Sequence, residues 1–315
     1  MTESLLPAPT LRSRLILEMA ADIVGQDDDG VRRVTVNISD ELRLSAASTS
    51  EGMLQVADGK LDLAIANPSA ALMLAYKGRA PFGRPLPLRT IAVIPSPDQY
   101  VFAVKREFGL ATLEDIAAKR PPLTILLRGT PDHFLHYVLD DIVAAAGFTL
   151  ADVKSWGGDA RKLGTVPYPN GPKFEMLARG EANAIFDEAA DRWVNAAVDA
   201  SMTILPLNEA TVRKLEDIGY RRAVLDQKRF PKLPADMLTI DFSGWPIFVN
   251  AALPDNRVTQ ICAALEARKA RIGYQEQEEG PLPLHLMCCD TPEAPVPAPF
   301  HPAAETFWRK LGYLK

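Results

Sequence analysis

The sequence predicts an α/β fold in two lobes, and three observations predict it. Strand, helix and strand patterns alternate along most of the chain, the mark of helices packed on mainly parallel sheets. One helix–glycine–strand unit occurs twice. The chain has 315 residues, more than the ~100–200 of a typical single domain.

The elements follow in order. Leu11–Val24 carries Leu15, Met19 and Ile23 at four-residue steps and reads as an amphipathic helix. Val34–Ile38 (VTVNI) is short and β-branched, a strand. Gly52–Asp58 reads as a helix and Leu61–Ala66 (LDLAIA) as a strand. Thr90–Pro95 (TIAVIP) and Tyr100–Lys105 (YVFAVK) are two further strands, parted by Ser96-Pro97-Asp98. Thr112 with Asp115 resembles a capping box, and Pro121-Pro122 ends the helix it opens. Leu123–Leu127 (LTILL) has no polar face and is a buried strand. After Arg128-Gly129-Thr130-Pro131-Asp132 comes a helix whose core stripe is Phe134, Leu135, Val138, Leu139, Ile142 and Val143, closed by Gly147. Arg213–Asp241 is less regular. Ile247–Asn250 is apolar, Asp255 opens another helix, and Gly280–Pro302 is a proline-rich surface segment.

The repeated unit is DGKLDLAIAN from Asp58 to Asn67 and RGEANAIFD from Arg179 to Asp187. Each follows a short helix, EGMLQVA or KFEMLA, and passes a glycine, Gly59 or Gly180, suited to a helix C-cap. Polar residues stand at the carboxyl end of each strand, where open α/β sheets bind ligands. The common occurrence of helix–glycine–strand in α/β proteins is the competing explanation.

Net charge is −5, which argues against nucleic acid as a partner, since that needs a basic face. Three cysteines, Cys262, Cys288 and Cys289, make no disulfide framework. No run of apolar residues is long enough to insert into a membrane. Arg12, Arg14, Glu18 and Asp22 interrupt what would be the apolar stretch of a signal peptide. The chain as written is therefore expected in the cytoplasm, and in the periplasm if a signal has been removed from it.

The phrases EGMLQVADGKLDLAIANPSAA, TLEDIAAKRPPLTILLRGT, VLDDIVAAAGFTLADVK, EMLARGEANAIFDEAA and ILPLNEATVRKLEDIGY resemble periplasmic binding proteins. More narrowly, they are similar to the TAXI-type substrate-binding proteins of TRAP transporters, as is the ending PFHPAAETFWRKLGY. The resemblance covers roughly residues 48–315. It implies a two-lobed type II periplasmic-binding-protein-like fold, each lobe a mainly parallel sheet flanked by helices, with a hinge. Residues 1–98 with 246–315 would form lobe 1 and 99–245 lobe 2. Tyr100–Lys105 and Trp245–Asn250 would be the crossing pair. Departures are the missing secretion signal, first strand and Gly-rich loop, the sequence RGTPDHF in a loop that is usually Gly/Ser-rich, and an insertion containing LMCCDTPEAPVPA before His301.

Arg128, Gly129 and Thr130 are the strongest binding candidates. They lie between a buried strand and a helix N-terminus, which favours an anion, and a guanidinium can hold a carboxylate by two hydrogen bonds. Capping by Thr130 or Asp132, with Arg128 solvated, is the alternative. Asn67 and Ser69 follow the first-lobe strand, and Phe186 and Asp187 are their echo. Ser48, Thr49 and Ser50 correspond to a polar loop that lines the cleft in the family, and Tyr168 and Asn170 to the loop before a second-lobe helix. His133 and His136 share a helix face, but no full metal-ligand set accompanies them, so no metal and no cofactor are expected. His301 is expected to pack, and the cysteines to be partly buried thiols.

The sequence thus predicts a solute-binding or ligand-sensing protein that holds a small organic anion, a carboxylate, in an interlobe cleft. Its partners would be that ligand and, if the protein is exported, a membrane permease. The alternative is a cytoplasmic enzyme on the same fold, a decarboxylase-like lyase acting on an aromatic or small carboxylic acid, with Asp187, Glu188, His133 or His136 moving protons.

Overall fold

The computed structural model describes residues 19, 44–46, 50–164, 166–189, 193–270 and 282–314. The expected helix Leu11–Val24, apart from Met19, and the expected strand Val34–Ile38 lie outside the described residues, as do Ser48 and Thr49.

In chain order the elements are β1 (Leu44–Ala46), α1 (Ser50–Ala57), β2 (Leu63–Ile65), α2 (Ser69–Lys77), β3 (Leu88–Ile94) and β4 (Tyr100–Lys105). Then come α3 (Asp115–Lys119), β5 (Thr124–Leu127), α4 (Phe134–Ala145), α5 (Leu150–Ser155), β6 (Asp159–Lys162), α6 (Pro172–Ala178) and β7 (Ala184–Glu188). The rest are α7 (Trp193–Asp199), β8 (Met202–Ile204), α8 (Glu209–Ile218), β9 (Arg222–Leu225), β10 (Met237–Ile240), β11 (Trp245–Asn250), α9 (Asp255–Arg268), α10 (Leu284–Met287) and α11 (Pro302–Lys310).

The chain divides into two compact units, Met1–Ser96 with Gly244–Lys315, and Pro97–Ser243. The first carries a sheet in the order β1-β2-β11-β3, the second a sheet in the order β6-β5-β7-β4-β8. Set aside β6, and the two orders correspond strand for strand. A parallel pair (β1/β2, β5/β7) is followed by a strand antiparallel to it (β11, β4), and a last strand antiparallel again (β3, β8). The repeated sequence unit falls at matching places: Gly59 and Gly180 both follow a helix, at φ +70° and +71°, and lead to β2 and β7.

The fold is α/β, as the alternation of elements predicts. Its sheets are mixed rather than mainly parallel. Each unit's β–α–β pairs are parallel, but β4 and β11, the first strands after the chain enters a unit, insert antiparallel into it. The irregular stretch after α8 resolves into the hairpin β9–β10, a separate two-stranded sheet.

Each unit has its own core. In the first, Met19, Ile91, Ile247, Ile261 and Trp308 pack together fully buried, and the Trp308 indole donates to Ile91 O at 2.7 Å. In the second, Val101, Leu126, Ile185 and Trp193 do the same, with the Trp193 indole donating to Glu188 O at 2.8 Å. Removing either buried indole is expected to cost roughly 3–5 kcal/mol. The Trp193 bond matters beyond stability, because it pins the carboxyl end of β7.

Candidate anion-binding site

In the second unit β5 lies between β6 and β7 and is parallel to both. The chain runs from β5 outward to β6, then returns across β5 to β7. Such a reversal opens a crevice outside the carboxyl ends of the strands, where α/β sheets bind ligands. Arg128 and Gly129 follow β5 there, and β7 ends there on Asp187 and Glu188.

Gly129 holds the loop close. Its N–H donates to Gly164 O, beyond β6, at 2.8 Å. A Cβ on residue 129 would stand 2.6 Å from that same oxygen, so no other residue fits without moving backbone. The neighbouring Arg128 is thereby set against β7. Its Nη2 donates at 2.6 Å to both Asp187 Oδ1 and Glu188 Oε1, and its Nε faces Asp187 Oδ2 at 3.5 Å.

A fourth residue completes the cluster. Lys173, near the start of α6, donates from Nζ to Asp187 Oδ2 at 2.7 Å. Asp187 is fully buried and Lys173 nearly so. Asp187 also accepts the Glu188 N–H at 3.0 Å, so both of its oxygens are occupied. The formal charges of Arg128, Lys173, Asp187 and Glu188 cancel. Burial works against the Arg128 charge, but Asp187 and then Glu188 outweigh it and hold the guanidinium above its ordinary range. At Lys173 burial prevails over Asp187, and the ammonium sits below the ordinary lysine value.

The hydrogen-bonding capacity of the two cations is not used up. Among the described residues Arg128 Nη1 makes no hydrogen bond, and Lys173 Nζ makes only the one to Asp187. Asp187 therefore orients two cations, each with N–H groups that make no hydrogen bond among the described residues.

The loop after Arg128 is capped differently from either expectation. The residue preceding α4 is His133, whose Nδ1 accepts the Leu135 N–H at 3.2 Å; neither Thr130 nor Asp132 caps the helix. The Thr130 carbonyl instead accepts from His136 Nε2 at 2.9 Å. Asp132 accepts from the Tyr137 hydroxyl at 2.7 Å. His136 is buried, and burial, followed by the nearby Lys162 charge, keeps its imidazole below the usual value. Among the described residues no group of three His, Cys, Asp or Glu side chains is placed to hold a metal.

The other expected site residues are distributed unevenly. Phe186 is core, its ring edge-on to Phe102 at 5.1 Å. Tyr168 and Asn170 are exposed; Asn170 lines a surface groove of about 510 Å³ with Pro169, Phe174 and Leu177. In the first unit, Ser50 begins α1, and Asn67 precedes Pro68 in a cis peptide. Ser69 begins α2, and its buried Oγ has no hydrogen-bond partner among the described residues. Lys173 was missed, although a lysine in the first turn of a helix opposes the helix dipole and so advertises an acidic partner. Cys262 and Cys288 are buried free thiols, pushed by burial above the ordinary thiol range. No helix among the described residues is long and apolar enough to cross a membrane.

No protein-family description matches the chain, and no curated protein matches it. Several solved structures are similar at low identity. A TctC solute-binding protein from Polaromonas is 16% identical, with 83% of this chain and 80% of that one covered, at a TM-score of 0.41. A substrate-binding protein of an ABC uptake transporter from Streptococcus pneumoniae, with bound histidine, is 11% identical over 81% and 76%, at 0.36. The alkanesulfonate-binding protein from Xanthomonas axonopodis pv. citri is 13% identical over 75% and 78%, at 0.32.

Proposed function

We propose that this protein binds a small organic anion, a carboxylate, at the carboxyl ends of β5 and β7, as a solute-binding or ligand-sensing protein. The observation that carries the reading is the free edge of Arg128. Asp187 and Glu188 engage Nε and Nη2 and leave Nη1 without a hydrogen bond among the described residues. A charged donor in a nearly buried setting binds an anion more strongly than the same donor in water. Lys173 adds donors to the same anion, and Gly129 and Thr130 shape the loop beside it.

Calorimetry with acetate, succinate, glutarate and benzoate tests the reading. Saturable one-site binding of at least one, weakened in Arg128→Lys, is expected. Failure of all four to bind would overturn it.

A second reading, an enzyme on the same fold, is favoured by Lys173. A buried lysine held below its ordinary value gives up its proton more readily and can attack a carbonyl. Borohydride reduction in the presence of pyruvate would leave a covalent adduct on Lys173 if that chemistry occurs; an unmodified chain excludes it for that substrate.

A further inference from the structure

Thr130-Pro131-Asp132-His133 forms a turn between β5 and α4. Proline suits the second position of a turn, and the His133 N–H closes it by donating to Thr130 O. At 3.3 Å that bond is long, beyond the usual ~2.9–3.0 Å of an N–H···O bond. It fixes the turn weakly. The same carbonyl takes a second, shorter bond, from His136 Nε2 at 2.9 Å.

His136 stands in the first turn of α4. Helix side chains tilt toward the N-terminus, so a residue there reaches back over the chain that enters the helix. A carbonyl oxygen can only accept, so the Nε2 that meets it carries the proton. The ring is buried, and burial holds its proton affinity below the ordinary imidazole value. A neutral imidazole has one N–H, and here it goes to Thr130.

The loop has other holds. Gly129 N–H donates to Gly164 O at 2.8 Å, and the Tyr137 hydroxyl donates to Asp132 Oδ1 at 2.7 Å. Lys162 Nζ donates to Pro131 O at 3.3 Å from an exposed side chain. His136 holds loop backbone from a buried position, where a hydrogen bond is stronger than in water. Two donors of Thr130 stay unused. The residue is exposed, and its N–H and Oγ1 make no hydrogen bond among the described residues. They lie two residues from Arg128, whose Nη1 is unused in the same sense.

We propose that His136 is a positioning residue for anion capture: by holding the Thr130 carbonyl it fixes the Thr130 N–H and hydroxyl as donors to the anion that Arg128 binds. The role rests on the anion-binding reading of Arg128. A carboxylate presents two oxygens, one to Nη1 and the other to Thr130. Without His136 the turn closes on its long bond alone. Thr130 must then be ordered each time a ligand binds, which lowers affinity. His136 itself does not touch the ligand.

The hold is read first in the ligand-free full chain. Imidazole ¹⁵N shifts, taken above the ordinary histidine value, should place the His136 proton on Nε2, slow to exchange with water. A proton on Nδ1 overturns the hold.

The role is read by calorimetry with benzoate and glutarate. His136→Phe keeps a ring but no donor, and should weaken binding about tenfold, the scale of one hydrogen bond. His136→Gln, whose side-chain amide can donate to the same carbonyl, should restore most of it. Thr130→Val removes the hydroxyl and should also weaken binding. Urea midpoints accompany each variant. A histidine that only packs would lower the midpoint and leave the affinity of the folded chain unchanged. Wild-type affinity in folded His136→Phe, or His136→Gln as weak as His136→Phe, overturns the positioning role, while weakened binding in Arg128→Lys still upholds the anion reading. If His136→Phe does not fold, Thr130→Val decides, and unchanged affinity there overturns the role. Failure of the wild type to bind either acid overturns the anion reading and the role with it, and the tautomer still decides the hold.

Discussion

Lys173 Nζ lies 2.7 Å from Asp187 Oδ2, with 2% and 0% of the two side chains exposed. Two charges so placed have given up nearly all of their hydration, and their attraction seldom returns more than that loss. The pair is weak evidence for stability and better evidence for position. Asp187 fixes both Lys173 and Arg128, bringing two cations from α6 and the end of β5 to one point.

Removing the shared anion should therefore be far more damaging than removing one cation. Asp187→Asn leaves Arg128 and Lys173 without their common partner, at a cost of about 3–5 kcal/mol. Lys173→Met costs less, because Asp187 still holds Arg128. Urea unfolding of the two variants measures the difference, and equal midpoints would contradict the arrangement.

Gly129 should tolerate no side chain. Gly129→Ala places a Cβ 2.6 Å from Gly164 O and 2.8 Å from Gly164 N, both backbone atoms. Overpacking of this kind costs about 1–3 kcal/mol, and the shift would displace Arg128. Gly59→Ala is the control: its φ of +70° is strained for alanine, but nothing lies within 4 Å. Both variants should lose stability, and the Gly129 variant alone should lose carboxylate affinity.

How far the site was legible in the sequence depends on which partner each residue has. Arg128 and Gly129 stand out because the apolar run LTILL stops at them and a helix follows. Phe186 and Asp187 are adjacent on β7, where consecutive residues face opposite sides, and Phe186 packs edge-on to Phe102 in the core rather than beside Asp187. Lys173 depends on Asp187, a whole helix and turn away, and no local pattern connects them. β6 (DARK) is an edge strand, partly or fully exposed along its length, and carries no apolar alternation to reveal it.

His136 should impose an acid limit on stability. Its imidazole is held below the usual value of 6.5, chiefly by burial. The unfolded chain thus takes the proton at a higher pH than the folded protein. Stability is full above about 6.5 and declines as pH falls from there through the folded value. His136→Gln should lessen that part of the decline. Thermal melts from pH 8 to pH 5 that fall equally in both proteins would refute the assignment.

Ser69→Ala should raise the stability of the ligand-free protein. The Ser69 Oγ is buried with no partner among the described residues, and a buried hydroxyl left unsatisfied costs about 1–3 kcal/mol. The space above it is closed by Gly244, where a Cβ would stand 2.5 Å from that oxygen. A loss of stability on substitution would show that Ser69 is satisfied in the folded protein.

Arg128→Lys separates recognition from structure. An alanine at this position would remove the charge that balances Asp187 and Glu188, and any loss of binding could then follow from unfolding. Lysine keeps the charge and can reach one carboxylate, but it lacks the planar fork that serves Asp187 and Glu188 while leaving Nη1 free. The substitution should cost little in the urea midpoint. Carboxylate affinity should fall about tenfold or more, since a charge-assisted hydrogen bond contributes roughly 1.5–3 kcal/mol. The asymmetry is the point of the experiment. A guanidinium that only braces β5 against β7 would show its loss in stability, with any bound acid unaffected. One that braces with Nε and Nη2 and binds with Nη1 shows its loss in affinity, with the fold intact.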